Sequence, residues 1–265
     1  MNEYREQPPL NKLHFVAWLR NEGARRYHDQ HPYHRMMHEG RLSRYQLQRW
    51  VLNRYYYQTR IPIKDALILS KSEDPSFRRA WIHRIHDHDG TDEDDGGLAL
   101  WRHLARGVGL DNTELLSLES VLPGVRLACD DYVTFVRNAS IVEAVAASLT
   151  ELFAPNVMSQ RVAAWTQHYP WVDSSALEYF RSRIPRATRD SDEALSFVVS
   201  HANTYELQAR CVAALVRKTT ILWSLLDNLY AAYVPDPSGK GADHDCGQLS
   251  NTNAGSAPAV RSDLG

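Results

Sequence analysis

Apolar residues recur at helical spacing along almost the whole chain, and this periodicity constrains the fold more than any other feature. The clearest case lies near the C-terminus, where spacings of four and three alternate through Cys211, Leu215, Lys218, Leu222, Leu225 and Leu229. Such spacing places side chains on one face of an α-helix. The sequence shows no alternating strand pattern bounded by turn residues. It therefore predicts one all-α domain, a bundle of about seven helices.

Capping residues and prolines mark where several of these helices should begin and end. Ser43 is typical of an N-cap residue, and Pro75 is typical of a first helical turn. Because proline lacks the backbone N–H and is rare inside helices, we expect a new helix to begin at Pro62. For the same reason, Pro185 is expected to end a helix over residues 177–184.

Composition supports one folded domain followed by a tail. Hydrophobic residues make up 43% of the 265 residues, which is enough for a sizeable core. From residue 235 onward the sequence is rich in Gly, Ser, Pro and Asn and nearly free of large apolar residues. Such a segment buries too little surface to offset its ordering entropy. We predict an all-α domain over residues 8–234 and a disordered tail over residues 235–265.

Charge, cysteine content and hydropathy exclude several classes of protein. The 30 Lys and Arg residues nearly balance 32 Asp and Glu residues, which argues against a dedicated nucleic-acid binder. Cys129, Cys211 and Cys246 form no CxxC pair, so neither a disulfide framework nor a zinc ribbon is encoded. No uncharged apolar run approaches the ~18 residues of a membrane span. These features predict a cytoplasmic protein with no membrane or nucleic-acid partner.

Polar side chains interrupt the apolar faces of several predicted helices. Lys218 lies in the middle of the C-terminal apolar face, where an ammonium group needs an anionic partner or must reach the edge of the bundle. Other helices carry the pairs Arg54/Gln58, Thr150/Glu151 and Tyr179/Arg183. Several cations directed inward suggest a cavity for a polyanionic small molecule, because arginine binds carboxylates bidentately. Polar groups that merely belong to the core are the alternative.

Histidines form two groups, at residues 28–38 and 83–88, but their spacing does not predict a metal site. No HExxH motif or Glu-x-x-His pair is present. Residues 87–97 fail the EF-hand pattern, because Gly96 stands where an oxygen ligand is required. Hydrogen-bonding, acid–base or surface roles remain for these histidines. We expect residues 86–97 to form a polar loop.

Several long and unusual motifs occur in the chain. They are YHDQHPYHRMMHEG (27–40), NRYYYQTRIPIKDA (53–66), RIHDHDG (84–90), LPGVRLACDDYVTF (122–135), SLTELFAP (148–155), QHYPWV (167–172), YFRSRI (179–184) and KTTILWSLLD (218–227). Over about residues 15–234 the chain resembles the pyrroloquinoline-quinone synthase family. This resemblance implies a haem-oxygenase-like helical bundle that forms a homodimer.

The resemblance also implies an activity. Members of this family act as cofactor-free oxidases, which complete ring closure and oxidise a bicyclic quinone precursor with O₂. The products are pyrroloquinoline quinone (PQQ) and hydrogen peroxide. Substrate and product carry several carboxylates, which matches the inward cations. No cofactor is expected, with O₂ as the co-substrate.

The family further implies which residues form the site. His88 and Tyr179 would handle protons near the oxygen, Arg183 would stabilise a peroxide anion, and His28 would be a second acid–base or hydrogen-bonding group. The residues implied to bind substrate are Arg54, Gln58, Lys64, Arg84, Tyr132, Thr150, Glu151, Arg161 and Lys218.

One position departs from the family pattern. Three residues after the proline of SLTELFAP the family usually has a histidine, whereas this chain has Met158. A thioether carries no proton and donates no strong hydrogen bond. Either that role is not essential, or a neighbour such as His28 takes it over, or the substrate has changed.

Two other functions stay open. One is a non-catalytic carrier of PQQ, which Met158 favours. The other is a different enzyme of the same fold, such as a thiaminase-like hydrolase, which would need Cys129 or Cys211 as a nucleophile at the pocket.

Overall fold

The computed structural model describes residues 7–234, which form twelve α-helices and three short 3₁₀ helices without any strand. The α-helices are α1 (Lys12–Arg26), α2 (Pro32–His38), α3 (Arg44–Leu69), α4 (Pro75–Trp81), α5 (His83–Asp89), α6 (Gly96–Gly107), α7 (Asn112–Ser117), α8 (Pro123–Asn138), α9 (Ile141–Ala147), α10 (Ala154–His168), α11 (Glu178–His201) and α12 (Tyr205–Tyr233). The 3₁₀ helices are His28–Gln30, Ser148–Phe153 and Ser174–Leu177. The all-α prediction is confirmed. The helices outnumber the seven expected because several are only six or seven residues long.

The predicted tail, residues 235–265, lies outside the described residues. The proposed domain boundary before it therefore stays a prediction.

Side-chain caps fix the starts of the helices as the sequence predicted. The Ser43 hydroxyl accepts the backbone N–H of Gln46, and the Gln46 side chain accepts the backbone N–H of Ser43, at 3.2 and 2.8 Å. This reciprocal pair is a capping box at the start of α3. Pro75 opens α4 behind the Asp74 carboxylate, which accepts the N–H of Ser76 at 2.9 Å.

Two proline predictions are wrong, because α3 continues through Pro62 and α11 continues through Pro185. A proline removes one backbone hydrogen bond from a helix, and tertiary contacts can outweigh that loss. Pro62 is itself buried. Beyond Pro185, Arg186 and Arg189 form ion pairs with Asp87 that hold α11 against α5.

The predicted loop over residues 86–97 is also wrong at both ends. Helix α5 extends to Asp89 and α6 begins at Gly96, so only residues 90–95 are non-helical. Gly90 and Gly96 have φ values of 96° and 74°, a region that favours glycine and that turns the chain tightly between the two helices. The histidines before this turn are consequently helical, and His88 is buried.

Two parts of the core determine where the site lies. Helix α12 buries its predicted apolar face, including Lys218, against α1, α8 and α9. Trp50 on α3 contacts Trp101 on α6 and Trp165 on α10, with ring centroids 5.6 and 5.9 Å apart, and it lies 6.4 Å from Phe180 on α11. This aromatic cluster holds together the helices that surround the pocket described below.

One segment, Ile141–His168, is long and apolar enough by length and composition to cross a membrane. The fold divides it into α9, a 3₁₀ helix and α10, and 50% of its most apolar window is buried. Ala144 and Ala147 are fully buried in the core. Its apolar character is therefore accounted for by packing inside the bundle.

Candidate functional site

A pocket with a cavity volume of about 70 Å³ lies among α3, α5, α10 and α11. On α3, Arg54, Gln58 and Ile61 reach it because spacings of four and three share one helix face. The complete lining is Tyr27, His28, Arg54, Tyr57, Gln58, Ile61, His88, Trp101, Thr150, Glu151, Ala154, Val157, Met158, Arg161, Tyr179, Arg183 and Leu222.

Most of the predicted site residues lie in this wall. They are His28, Arg54, Gln58, His88, Thr150, Glu151, Arg161, Tyr179 and Arg183. The remaining four do not line the pocket and are buried: Lys64, Arg84, Tyr132 and Lys218. Contacts described below connect these four to groups in or next to the wall.

Carboxylates compensate the cations on the side of the pocket formed by α5 and α11. Glu151 binds the Arg84 guanidinium and lies 3.8 Å from that of Arg183. Asp190, which is buried, lies 3.6 Å from Arg183 and 3.9 Å from Arg84. Burial alone would raise the pKa of Glu151, but the charges of Arg84, Lys64 and Arg183 lower it to about 2.

A second buried ion pair lies behind this wall. The Lys64 ammonium lies 2.7 Å from Asp65 and donates to the Ser148 hydroxyl at 3.1 Å. The indole N–H of Trp81 donates to Asp65 at 2.9 Å. The charge of Lys64 is therefore neutralised locally and rigidly held.

The other side of the pocket carries cations without carboxylates. Among residues 7–234, no carboxylate lies within ion-pair distance of Arg54, Arg161 or Lys218. The Arg54 guanidinium stacks on Tyr57 at 3.9 Å, and the Lys218 ammonium nitrogen lies 3.3 Å from the centre of the Tyr132 ring. Burial and the nearby charge of Arg54 lower the pKa of Arg161 to about 9. This half of the pocket is suited to an anionic group.

Proton-transfer groups meet where the two sides join. Tyr179 donates its hydroxyl to Gln58 Oε1 at 2.8 Å. His88 Nδ1 lies 3.0 Å from the backbone carbonyl oxygen of Arg84. Because a carbonyl only accepts, Nδ1 carries the proton and Nε2 is left with a lone pair. Burial and Arg183 lower the pKa of His88 to about 3, so the ring is neutral at pH 7 and can accept a proton.

Some residues of the site were not predicted from the sequence. The aromatic and apolar lining of Tyr27, Tyr57, Trp101 and Leu222 was missed, although Leu222 lies one turn after Lys218. The buried acids Asp65 and Asp190 were missed as well. A signal existed for Asp190, because it follows Arg183 by seven residues, which is two helical turns.

The positions of Met158, Cys129 and Cys211 bear on the alternative functions. Met158 lines the pocket, with its sulfur 4.0 Å from Arg161 Nη1. Cys129 and Cys211 are buried outside the lining, and burial raises the pKa of each thiol to about 12. A protonated, inaccessible thiol is a poor nucleophile, which disfavours the thiaminase-like alternative. Within the described chain, no three His, Cys, Asp or Glu side chains are grouped to hold a metal ion.

Comparison with known proteins finds relatives over nearly the whole described chain. Residues 17–228 match the model of the TENA/THI-4/PQQC family. A protein named pyrroloquinoline-quinone synthase from Xanthomonas euvesicatoria pv. vesicatoria is 54% identical over 82% of this chain and 87% of its own length. One of the same name from Rhizobium meliloti is 50% identical over 83% and 86%. These relatives confirm the resemblance drawn from the motifs.

Solved structures show the same fold at low sequence identity. A domain of unknown function with a heme oxygenase-like fold from Shewanella denitrificans has a TM-score of 0.68 at 14% identity, covering 84% of this chain and 94% of its own. A TenA homolog from Pseudomonas syringae pv. tomato has a TM-score of 0.65 at 13% identity, covering 85% and 98%. The haem-oxygenase-like prediction is confirmed.

Proposed function

Because the chain belongs to the TENA/THI-4/PQQC family, we propose that it acts in PQQ biosynthesis as a pyrroloquinoline-quinone synthase. The proposed reaction is ring closure and O₂-dependent oxidation of the bicyclic quinone precursor, with release of hydrogen peroxide and without a cofactor. We place this reaction in the cytoplasm.

The observation that carries the proposal is the surplus of positive charge around the pocket. Arg54 and Arg161 reach the pocket with no carboxylate of residues 7–234 beside them, and Lys218, which lies behind Tyr57, also has none. Burying unpaired cations is unfavourable, and an anionic ligand would relieve the cost. The substrate and product of the proposed reaction carry several carboxylates. A neutral substrate would leave this charge unexplained.

The remaining groups suit the oxidation step. In that step a C–H proton leaves the reduced substrate for a base, a second proton leaves from one of its O–H or N–H groups, and two electrons pass from the substrate to O₂. These two electrons and two protons convert O₂ to hydrogen peroxide. His88 Nε2 is the proposed base, and Tyr179 is a second proton-handling group near it. The Arg183 cation would stabilise the developing peroxide anion.

A second candidate function is a carrier that binds PQQ without turnover. Met158 favours it, because a thioether stands beside Arg161 where the family usually has a histidine. Under this alternative the cationic pocket is kept for binding alone.

Aerobic incubation of the EDTA-treated protein with excess precursor, following both PQQ and peroxide, separates the two. The synthase produces more PQQ than enzyme, with peroxide. A carrier yields at most one equivalent and keeps it bound. Tyr179→Phe should slow the oxidation by about 100-fold or more while PQQ binding stays within about two-fold, since general acid–base groups contribute about 100-fold to 10,000-fold. Tyr56→Phe is the matched control, because its hydroxyl contacts Asp130 outside the pocket. An unchanged rate in Tyr179→Phe would remove the role assigned to that residue.

A further inference from the structure

Arg161 differs from the other buried arginines of the site in what surrounds it. Arg84 and Arg183 share Glu151 and Asp190, whereas Arg161, only 3% exposed, contacts no carboxylate in the described chain. It lies 4.9 Å from the centre of the Trp50 ring and 5.4 Å from that of Phe180. Its Nη1 atom contacts the sulfur of Met158 at 4.0 Å.

The one nitrogen acceptor that Arg161 contacts in the described chain is His34. Arg161 Nη2 lies 3.5 Å from His34 Nε2, a long hydrogen bond. All the nitrogens of a guanidinium donate, so His34 Nε2 must be unprotonated and the ring must be neutral. Burial, reinforced by the charge of Arg161, lowers the pKa of His34 well below its usual value.

Ring packing holds His34 in this position, since its Nδ1 has no hydrogen-bond partner in the described chain. It is 1% exposed and projects from α2 with its ring packed 4.9 Å from that of His28 and 6.1 Å from that of Trp50. An acid at this position would also orient Arg161, but it would cancel the charge. A neutral imidazole orients the guanidinium and leaves its charge intact.

We propose that His34 is a positioning residue that holds Arg161 through a neutral acceptor and so keeps its charge available to an anionic group of the ligand. The inference rests on the proposed function, because that function makes the ligand a polycarboxylate. His34 itself does not line the pocket. Its effect on the ligand is therefore exerted through Arg161.

Three substitutions at His34 separate orientation from charge, with PQQ affinity measured by titration at pH 8. His34→Gln keeps a neutral acceptor and should bind PQQ within about three-fold of the wild type. His34→Leu removes the acceptor and should bind about 10-fold more weakly. His34→Glu neutralises Arg161 and should bind about 100-fold more weakly, because hydrogen bonds to charged groups contribute about that factor. His38→Gln is the control, since His38 is one turn further along α2 and stacks on His34 without contacting Arg161.

A second substitution site, Met158, and a second ligand, the trimethyl ester of PQQ, separate loss of charge from loss of structure. If His34→Glu does not fold, Met158→Glu places the acid beside Nη1, the other terminal nitrogen of Arg161, and should weaken PQQ binding similarly. The trimethyl ester of PQQ, which lacks the carboxylate charges, should bind His34→Glu and wild type alike. A purely structural defect would weaken the binding of both PQQ and its ester.

Citrate serves as an anion unrelated to the proposed reaction. If PQQ fails to bind the wild type, the proposed function fails, and the same order of variants in citrate affinity still supports the inference. Equal affinity of wild type, His34→Leu and the glutamate variants for the anion used would overturn it.

Discussion

The two buried lysines of the site, Lys64 and Lys218, are equally inaccessible but differ in charge compensation. Each is 1% exposed. Lys64 has Asp65 at 2.7 Å, whereas the Lys218 ammonium nitrogen has no hydrogen-bond partner in the described chain and lies between the rings of Tyr132 and Tyr57. Burial, together with the charges of Arg54 and Lys64, lowers the pKa of Lys218 well below its usual value, although Cys129 and Glu151 act in the opposite direction. The empty site therefore holds the Lys218 proton less tightly than water does.

Binding of an anionic ligand should then be accompanied by proton uptake at Lys218. A polycarboxylate opposes the field of Arg54 and Lys64, which raises the pKa of Lys218 back toward its usual value. Calorimetric titration with PQQ in two buffers of different ionisation enthalpy measures the uptake, which should be greater than zero. Lys218→Met should abolish it, while Lys12→Met, on the surface of α1, should not. Heats that are the same in both buffers would contradict the prediction.

At this scale the sequence predicted which polar side chains point into the bundle better than how they pair. Periodicity placed Lys218, Arg54 and Arg183 on inward faces, because a helix face depends only on local spacing. It could not show that Asp65 neutralises Lys64 whereas no acid in the described chain neutralises Lys218. Those pairings depend on how α3, α8 and α12 pack together, and a single helix pattern does not contain that information.

Helix α2 carries His34 and begins with an unusual cap. The His31 side chain takes the place of the common Ser, Thr, Asp or Asn, and its Nδ1 accepts the backbone N–H of Tyr33 at 3.0 Å. Its Nε2 therefore carries the proton and donates to Asp227 on α12 at 3.0 Å. One imidazole both starts α2 and ties it to α12.

The contribution of this cap can be measured by comparing two substitutions. His31→Asn and His31→Ala both lose the packing of the ring against Trp223 and Tyr230, but only asparagine keeps an N-cap acceptor. We expect His31→Asn to be more stable than His31→Ala by about 1 kcal/mol, the usual value of an N-cap. Urea unfolding followed by circular dichroism gives the difference. Equal unfolding free energies would mean that the imidazole does not act as a cap.

Helix starts were predictable from the sequence where a side chain acts on its own backbone, as Ser43 does for α3. Pro62 and Pro185 were misread because continuation of a helix through proline depends on tertiary contacts. The ion pairs of Arg186 with Asp87 and Asp94 connect residues about one hundred positions apart in the chain, at 3.4 and 2.7 Å. No local pattern predicts contacts at that separation.

Over the whole molecule, the histidines set how stability responds to acid. His28, His31, His34 and His88 are buried, and His38 is partly buried. Burial lowers the pKa of all five, to about 4 for His38 and about 3 for His88. In the unfolded chain each returns to about 6.5. Between these values the unfolded chain binds more protons than the folded one, so protonation favours unfolding.

The unfolding free energy should therefore be nearly constant from pH 8 to pH 7 and should decrease below about pH 6.5. Each histidine contributes up to about 1.4 kcal/mol per pH unit in that window. Asp29, Asp65 and Asp89 oppose the effect, because burial raises their pKa and they take up protons in the folded state. Since five histidines act against three carboxyls, we expect the unfolding free energy to decrease by at least about 2 kcal/mol between pH 7 and pH 5.

Urea titrations at fixed ionic strength measure this decrease. The control is His14→Gln, on the exposed face of α1, which should follow the wild-type curve. A flat profile down to pH 5 would mean that the folded protein admits these protons without opening its core.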